Sequence, residues 1–270
     1  MNSKTFMQKK EKVWSSLAMM MVAMLSISVV SCGDDDENEK IPNTMINGHE
    51  AVDLGLPSGT KWATMNIGAN SAYAPGKYFQ WGETTYVNSD ENIGWNSNYK
   101  PGNIVYKGTI SADCGTESDA MFADGVIAKD DTGNWNGCIA GNSKYDAATA
   151  NWGGTWKMPT KAQMDELISL CTWTYKNSII DGGQAGYTVT GKNGNSIFLP
   201  LGGYRQYLNL DRGGSCGCYW SATVSQNMAS DTYYLLFEIN APSGNARVNI
   251  EERVRGFNIR PVSNDTQKEK

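Results

Sequence analysis

Residues 186–199 read GYTVTGKNGNSIFL, and this stretch determines the fold class of the 270-residue chain. Two runs rich in β-branched and aromatic residues flank Asn193-Gly194, a dipeptide typical of tight hairpin turns. Residues 232–250 predict a second hairpin in the same way, and residues 254–262 predict a closing strand. The last third of the chain therefore predicts a small antiparallel sheet.

One helix is predicted, beginning after Thr160. Gln163 stands three residues later, as a capping box requires, and Pro159 blocks an earlier start. Apolar residues then follow at helical spacing: Met164, Leu167, Ile168 and Cys171. Residues 85–155 are rich in Gly, Asn, Asp and Trp and predict long structured loops. The fold class is α+β, with a small twisted antiparallel sheet and few helices.

Residues 1–31 are predicted to be a lipoprotein signal peptide. Four lysines precede the uncharged stretch 13–31, which ends in Val29-Val30-Ser31-Cys32. This tetrapeptide resembles the bacterial lipobox, whose cysteine receives diacylglycerol before cleavage. An uncleaved transmembrane anchor is the alternative, but the serines of the stretch and the position of Cys32 favour lipidation. Palmitate-type acyl chains on Cys32 would hold the protein stably to a membrane.

The exported chain divides into three parts. Residues 32–48 are predicted to be an acidic tether, 49–262 one domain, and 263–270 a disordered tail. The tether begins with Gly33–Glu39, which resembles the surface-export signal of Bacteroidetes-type lipoproteins. We therefore expect an outer-membrane location facing the cell exterior, with a periplasmic orientation as the alternative.

Charge and motif content exclude several function classes. The formal charge is −5, and removal of residues 1–31, with four lysines and one glutamate, leaves about −8, so no nucleic-acid partner is expected. His49 is the only histidine and is expected to be structural, and no phosphate-binding GxxxxGK[ST] loop occurs. Carboxylates for a glycosidase exist, but no pair is specified. The candidates are Glu83, Asp165, Glu166, Glu238, Glu251 and Glu252. We expect no enzymatic activity.

Five cysteines remain after Cys32, so at least one thiol is unpaired within the chain. Cys114 and Cys138 bracket a loop in which a disulfide would stabilise the fold by roughly 3 kcal/mol. Cys171 is expected to be a buried thiol on the helix stripe. Cys216-Gly217-Cys218 is too close for an easy mutual disulfide, and a metal or redox role is an alternative for it.

Two further candidate sites lie in the loop region. Trp95 and Trp135 stand among Asn and Gly residues and are candidate ligand-binding rings. The other tryptophans considered are expected in the core: Trp62, Trp152, Trp156 and Trp220. No cofactor is expected. Residues 130–134 offer oxygen ligands for calcium but lack the EF-hand spacing, so a solvated turn is favoured.

Five segments in order carry a resemblance to a known family: Glu50–Thr64, Phe79–Thr84, Asn151–Thr160, Tyr219–Thr223 and Arg255–Val262. Together they resemble the Fibrobacter succinogenes major paralogous domain, common in surface lipoproteins of gut and oral Bacteroidetes. The resemblance implies a fold like that of C-type lectins and formylglycine-generating enzymes. It implies no activity, because the matched segments lack the cysteine pair of the enzymes. Members often have Cys at the position of Met65, so a partner for Cys171 is missing if those two pair.

The sequence favours a cell-surface binding or adhesion module for a glycan or matrix polymer. The alternative is a structural or assembly component whose partners are surface or host proteins, and a third is a glycan-processing or oxidative enzyme. Binding predicts a concave site with aromatic rings beside polar side chains. An assembly role predicts a broad apolar patch or an unpaired edge strand.

Overall fold

A computed structural model describes residues 43–86, 120–177, 184–206, 209–239 and 241–264. All of them lie within one unit, Asn38–Lys270. The predicted signal peptide and the first part of the tether lie outside the described residues. None of the described helices is long and apolar enough to span a membrane.

Short strands make up most of the regular secondary structure in the described part of the chain. They are β1 (Thr44–Ile46), β2 (His49–Asp53), β3 (Lys61–Ala63), β4 (Ile127–Lys129), β5 (Trp135–Gly137), β6 (Thr172–Lys176), β7 (Gly186–Thr190), β8 (Ser196–Pro200), β9 (Tyr204–Gln206), β10 (Asn209–Asp211), β11 (Cys216–Val224), β12 (Asp231–Glu238), β13 (Arg247–Glu252) and β14 (Val262–Ser263). The helices are α1 (Ala120–Ala123), α2 (Ala147–Trp152), α3 (Lys161–Leu170) and a 3₁₀ turn at Pro242–Asn245.

These strands form small antiparallel sheets, as the sequence predicted. The orders are β1-β2-β3-β14, β6-β7-β8 and β11-β12-β13, together with the pairs β4-β5 and β9-β10. Both predicted hairpins are confirmed, because β7 pairs with β8 and β12 pairs with β13. The first sheet begins at Thr44, before the expected domain boundary at residue 49, and it ends at Ser263.

The predicted closing strand over residues 254–262 is wrong in its extent. Only Val262 and Ser263 form a strand, which pairs with β3. The residues before them make single bridges to separate parts of the chain, such as Phe257 to Phe79 and Asn258 to Tyr219. The segment therefore joins several elements instead of extending one sheet.

The predicted helix is confirmed as α3. Its cap Thr160 accepts a hydrogen bond from the Gln163 amide, and the Gln163 side chain accepts one from the Thr160 amide. Met164 and Leu167 are buried on the inward face. Cys171, however, ends the helix as its C-cap and is only half-buried, so the expectation of a buried thiol there is wrong. Cys171 still packs against the apolar cluster that contains Met164 and Leu167, but from the end of the helix, where it stays partly exposed.

Strand β11 separates two apolar clusters. Cys218 and Trp220 face a cluster that contains Trp81 and Phe257, whereas Tyr219 faces one that contains Trp62. Side chains alternate along a strand, so β11 is buried on both faces. Trp62, Trp156 and Trp220 are almost completely buried, which confirms their expected core positions. Trp152 is half-buried and packs edge-on against Trp156.

Candidate functional site

Three of the predicted site residues, Cys32, Trp95 and Cys114, lie outside the described residues. Their predicted roles in lipidation, ligand binding and disulfide formation therefore stay predictions. The two others, Trp135 and Cys138, lie at the β4-β5 hairpin and just after it.

Trp135 is half-buried and already has partners within the protein. Its ring stacks on Phe122 with centroids 5.1 Å apart and planes inclined by 14°. The ammonium of Lys129, its cross-strand partner, lies 4.9 Å from the ring centroid. A ligand ring would have to share this aromatic surface with both contacts.

The described cysteines fall into three environments. Cys138 is exposed. Cys216 and Cys218 are buried, and their Sγ atoms lie 3.7 Å apart, because residues two apart on a strand share a face. Burial raises the pKa of the half-buried Cys171 thiol to about 11. Among the described cysteines, Cys138 is therefore the most exposed.

The loop considered for calcium is a hydrogen-bonded turn. Asp130 Oδ1 accepts bonds from the Thr132 amide, the Thr132 hydroxyl and the Asn134 amide. These bonds, the one from the Thr132 hydroxyl above all, hold the pKa of Asp130 below its ordinary value. Nowhere in the described ranges do three or more His, Cys, Asp or Glu residues form a group that could hold a metal ion.

The carboxylates considered for catalysis make structural contacts. Glu166 accepts hydrogen bonds from the amide and hydroxyl of Ser58, and so fixes the loop that precedes β3 to α3. Glu238 pairs with both Arg212 and Arg247, which hold its pKa below the ordinary value. His49, the single histidine, stacks on Trp152 with centroids 3.7 Å apart and planes inclined by 5°. Burial lowers the His49 pKa.

A groove of about 450 Å³ lies on the outer side of the β6-β7-β8 sheet. Its lining comes from parts of the chain that are distant in sequence: Thr64, Ala72, Tyr73, Lys176, Thr188, Ser196, Ile197 and Phe198. A second groove of about 410 Å³ near Lys157 has Trp156 as its aromatic residue, and that side chain is only 1% exposed. The first groove is therefore the better candidate for recognition of a ligand.

The outer face of the sheet, on which the groove lies, follows from the register of its three strands. Thr174, Thr188 and Phe198 stand directly opposite one another, so their side chains share the outer face. The intervening residues Tyr187 and Leu199 point into the core. This alternation gives the sheet one apolar face against the core and one polar face that carries the groove.

An aromatic pair stands at the centre of the groove. The rings of Tyr73 and Phe198 have centroids 4.8 Å apart and planes inclined by 57°. A Cβ at Gly186 would lie 2.7 Å from the Phe198 ring, so glycine is required where this ring crosses the neighbouring strand. Phe198 is 8% exposed and Tyr73 is half-buried, so Tyr73 offers the more accessible ring.

The loop that carries Tyr73 is fixed by side-chain amides. Asn258 donates to the carbonyls of Pro75 and Lys77, and Asn66 also donates to the Pro75 carbonyl. The backbone N–H of Gln184 also donates to the carbonyl of Tyr73 itself. These bonds place the ring against the sheet before any ligand binds, which lowers the entropic cost of binding.

Arg260 connects the walls of the groove from beneath. Its guanidinium donates to the carbonyls of Ala63, Thr64 and Phe198 and to Asn66 Oδ1. Two of these acceptors, Thr64 and Phe198, line the groove. Burial lowers the Arg260 pKa to about 10, which still leaves the group protonated at neutral pH.

The chemistry of the groove is that of a binding site for a polar ligand with an apolar face. Hydroxyl groups of Thr64, Thr188 and Ser196 can both donate and accept, and Lys176 adds one ammonium group. The rings provide a flat apolar surface beside them. Sequence reasoning missed Tyr73 because it favoured tryptophans in Asn- and Gly-rich loops. The sequence feature that could have indicated Tyr73 is Pro75-Gly76, which marks a turn beside it.

Comparison of the chain with protein-family models, curated proteins and solved structures gives no match.

Proposed function

We propose that the chain is a surface lipoprotein whose domain binds glycan or matrix polymer. One observation carries this proposal: the groove on the β6-β7-β8 sheet combines the accessible ring of Tyr73 with free hydroxyl groups and a single cation. A sugar presents an apolar ring face and hydroxyl edges, and this lining is complementary to both. The C-type-lectin-like fold and membership of the major paralogous domain family, which the five sequence segments suggest, belong to the same proposal.

The location at the outer face of the outer membrane rests on the lipobox at Cys32 and the acidic run after it. We expect proteinase added to intact producing cells to digest the protein, detected by a C-terminal epitope. A periplasmic protein in the same cells should stay intact and serves as the control. An intact lipoprotein on whole cells, with complete digestion after lysis, would show that the domain faces the periplasm.

Replacing Tyr73 with alanine should remove glycan binding while the fold persists. Aromatic residues dominate the energy of such sites, so we expect at least about a tenfold loss of affinity. The full chain in mild detergent is applied to a glycan and matrix-protein array, and the strongest ligand is then titrated by calorimetry. Tyr73→Phe keeps the ring and should retain most of the affinity.

Trp135→Ala, measured in the same titration, tests the site expected from sequence. If this variant loses binding while Tyr73→Ala retains it, the ligand lies at the β4-β5 hairpin and the groove is not the site. Absence of any array signal from a folded wild-type protein would contradict the binding function itself.

The alternative role in surface assembly would use an unpaired edge strand. The edge strand β13 carries Arg247, Glu251 and Glu252, and these charges discourage strand pairing with a partner.

A further inference from the structure

Beyond the groove, the outer face of the β6-β7-β8 sheet carries two rows of side chains in register. Thr172, Thr190 and Ser196 form one row across the strands. Thr174, Thr188 and Phe198 form the next. Thr172, Thr174 and Thr190 do not line the groove, so the hydroxyl-bearing face extends past it.

The hydroxyl groups of this face differ from those of several threonines elsewhere in the fold. Thr149, Thr160 and Thr232 use their hydroxyls in hydrogen bonds to neighbouring segments. The hydroxyls of Thr172, Thr174, Thr188, Thr190 and Ser196 make no hydrogen bond in the described parts of the chain. All five side chains are at least partly exposed. They are consequently available to an external ligand as donors and acceptors.

We propose that this face binds a linear, uncharged polysaccharide in an extended conformation, which begins in the groove and crosses β8, β7 and β6. This inference rests on the proposed function and adds the class of ligand. Neighbouring strands lie about 4.8 Å apart, so the first row presents three hydroxyl groups at that interval and the second presents two. An extended β-linked sugar chain also presents hydroxyls at a short, regular repeat, and the groove holds only the end of such a chain.

Charge on the face favours a neutral polymer. The two rows and the next register position, which consists of Lys176, Gly186 and Pro200, contain one charged side chain, although the whole chain carries −5. A carboxylate-rich polymer would find a single cation there, and a cationic polymer would find no carboxylate. Rigid threonine side chains on a sheet anchored by Trp173 and Leu199 keep the array ordered before binding.

The test measures how affinity depends on ligand length. Calorimetry uses the full chain in mild detergent with two- and six-residue oligomers of β-1,4-glucan, β-1,4-mannan and β-1,4-xylan. Hexamers of α-1,4-glucan and of polygalacturonate serve as curved and charged comparators. We expect at least one neutral β-linked hexamer to bind about tenfold more tightly than its dimer, because the face adds hydrogen bonds that the groove lacks.

The double variant Thr174→Val and Thr190→Val removes two hydroxyls outside the groove with little change in shape. We expect hexamer affinity to fall by about tenfold, while dimer affinity is unchanged. Thr85→Val is the matched control, since Thr85 is exposed and belongs to none of the three strands. Circular dichroism checks that each variant is folded.

Several outcomes would overturn the inference. Equal affinities for dimer and hexamer, or an unchanged hexamer affinity in the double variant, would confine recognition to the groove and leave the proposed function standing. Tighter binding of polygalacturonate, abolished by Lys176→Gln, would show that the ligand is anionic. Binding to array glycans other than linear β-linked ones would also contradict it. No binding to any array glycan would remove the proposed function as well.

Discussion

Replacing Arg260 with methionine is expected to lower the free energy of unfolding by about 4 kcal/mol and to abolish glycan binding. The guanidinium is 1% exposed and donates to three backbone carbonyls and to Asn66. Methionine fills a similar volume but donates nothing, so buried acceptors lose their partners, at about 1–3 kcal/mol for each one left unsatisfied. Urea denaturation measures the stability.

Loss of binding should accompany the loss of stability because of where the acceptors lie. Thr64 stands at the end of β3 and Phe198 on β8, and Arg260 holds the two segments together under the groove. Arg260→Lys keeps the charge but has only one side-chain nitrogen. Compared with Arg260→Met, we expect it to restore part of the stability but little of the binding. Binding is measured below the unfolding transition of each variant.

Arg247→Met is the matched control, because Arg247 is a surface residue paired with Glu238. Removal of an exposed ion pair should change stability by less than about 1 kcal/mol. If Arg260→Met is as stable as Arg247→Met, water or neighbouring groups satisfy the carbonyls, and Arg260 does not hold the groove together.

The elements that the sequence predicted correctly are those with a local signal. The hairpin at Asn193-Gly194 and helix α3 after Thr160 are each specified by a short stretch in which turn, cap and apolar spacing agree. The segment 254–262 has the residues of a strand, but its partners are distant in sequence. Its single bridges are determined by tertiary packing, which no local pattern reports.

The groove could not be predicted from the sequence for the same reason. Tyr73 and Phe198 are far apart in the chain, and neither stands in a motif. They meet because Arg260 and two asparagines tie loop and sheet together. The Asn- and Gly-rich composition around Trp135 pointed instead to a ring that stacks within the protein.

The five segments that resemble the major paralogous domain supply mainly core residues. Trp62, Trp81, Trp156 and Trp220 come from four of them, and Arg260 comes from the fifth. All of these side chains are buried. A resemblance carried by core residues concerns the fold, whereas the groove is lined mostly by residues outside those segments. The resemblance therefore concerns the core and not the lining of the groove.

Asp146→Ala is expected to destabilise the protein by about 3 kcal/mol. Asp146 precedes the six-residue helix α2, which has too few residues for apolar periodicity to reveal it. Its carboxylate caps α2 through the amides of Ala148 and Thr149, and it also accepts bonds from the amides of Gly141 and Met158. An N-cap contributes about 1 kcal/mol, and the two further buried amides left without an acceptor add the rest.

Asp146→Asn tests the same prediction with almost no change in the shape of the side chain. The amide nitrogen of asparagine cannot accept hydrogen bonds, so the backbone N–H groups that face this nitrogen lose their acceptor. We therefore expect the free energy of unfolding to fall by about 2 kcal/mol. Asp165→Asn is the control, since Asp165 is exposed and pairs with Lys161, and should change stability by about 0.5 kcal/mol or less. Thermal and urea denaturation give both values. Equal stabilities of Asp146→Asn and wild type would mean that the side chain acts by volume alone. The expected ranking, alanine below asparagine below wild type, would show that one carboxylate joins α2 to the Met158-Pro159 segment that leads into α3.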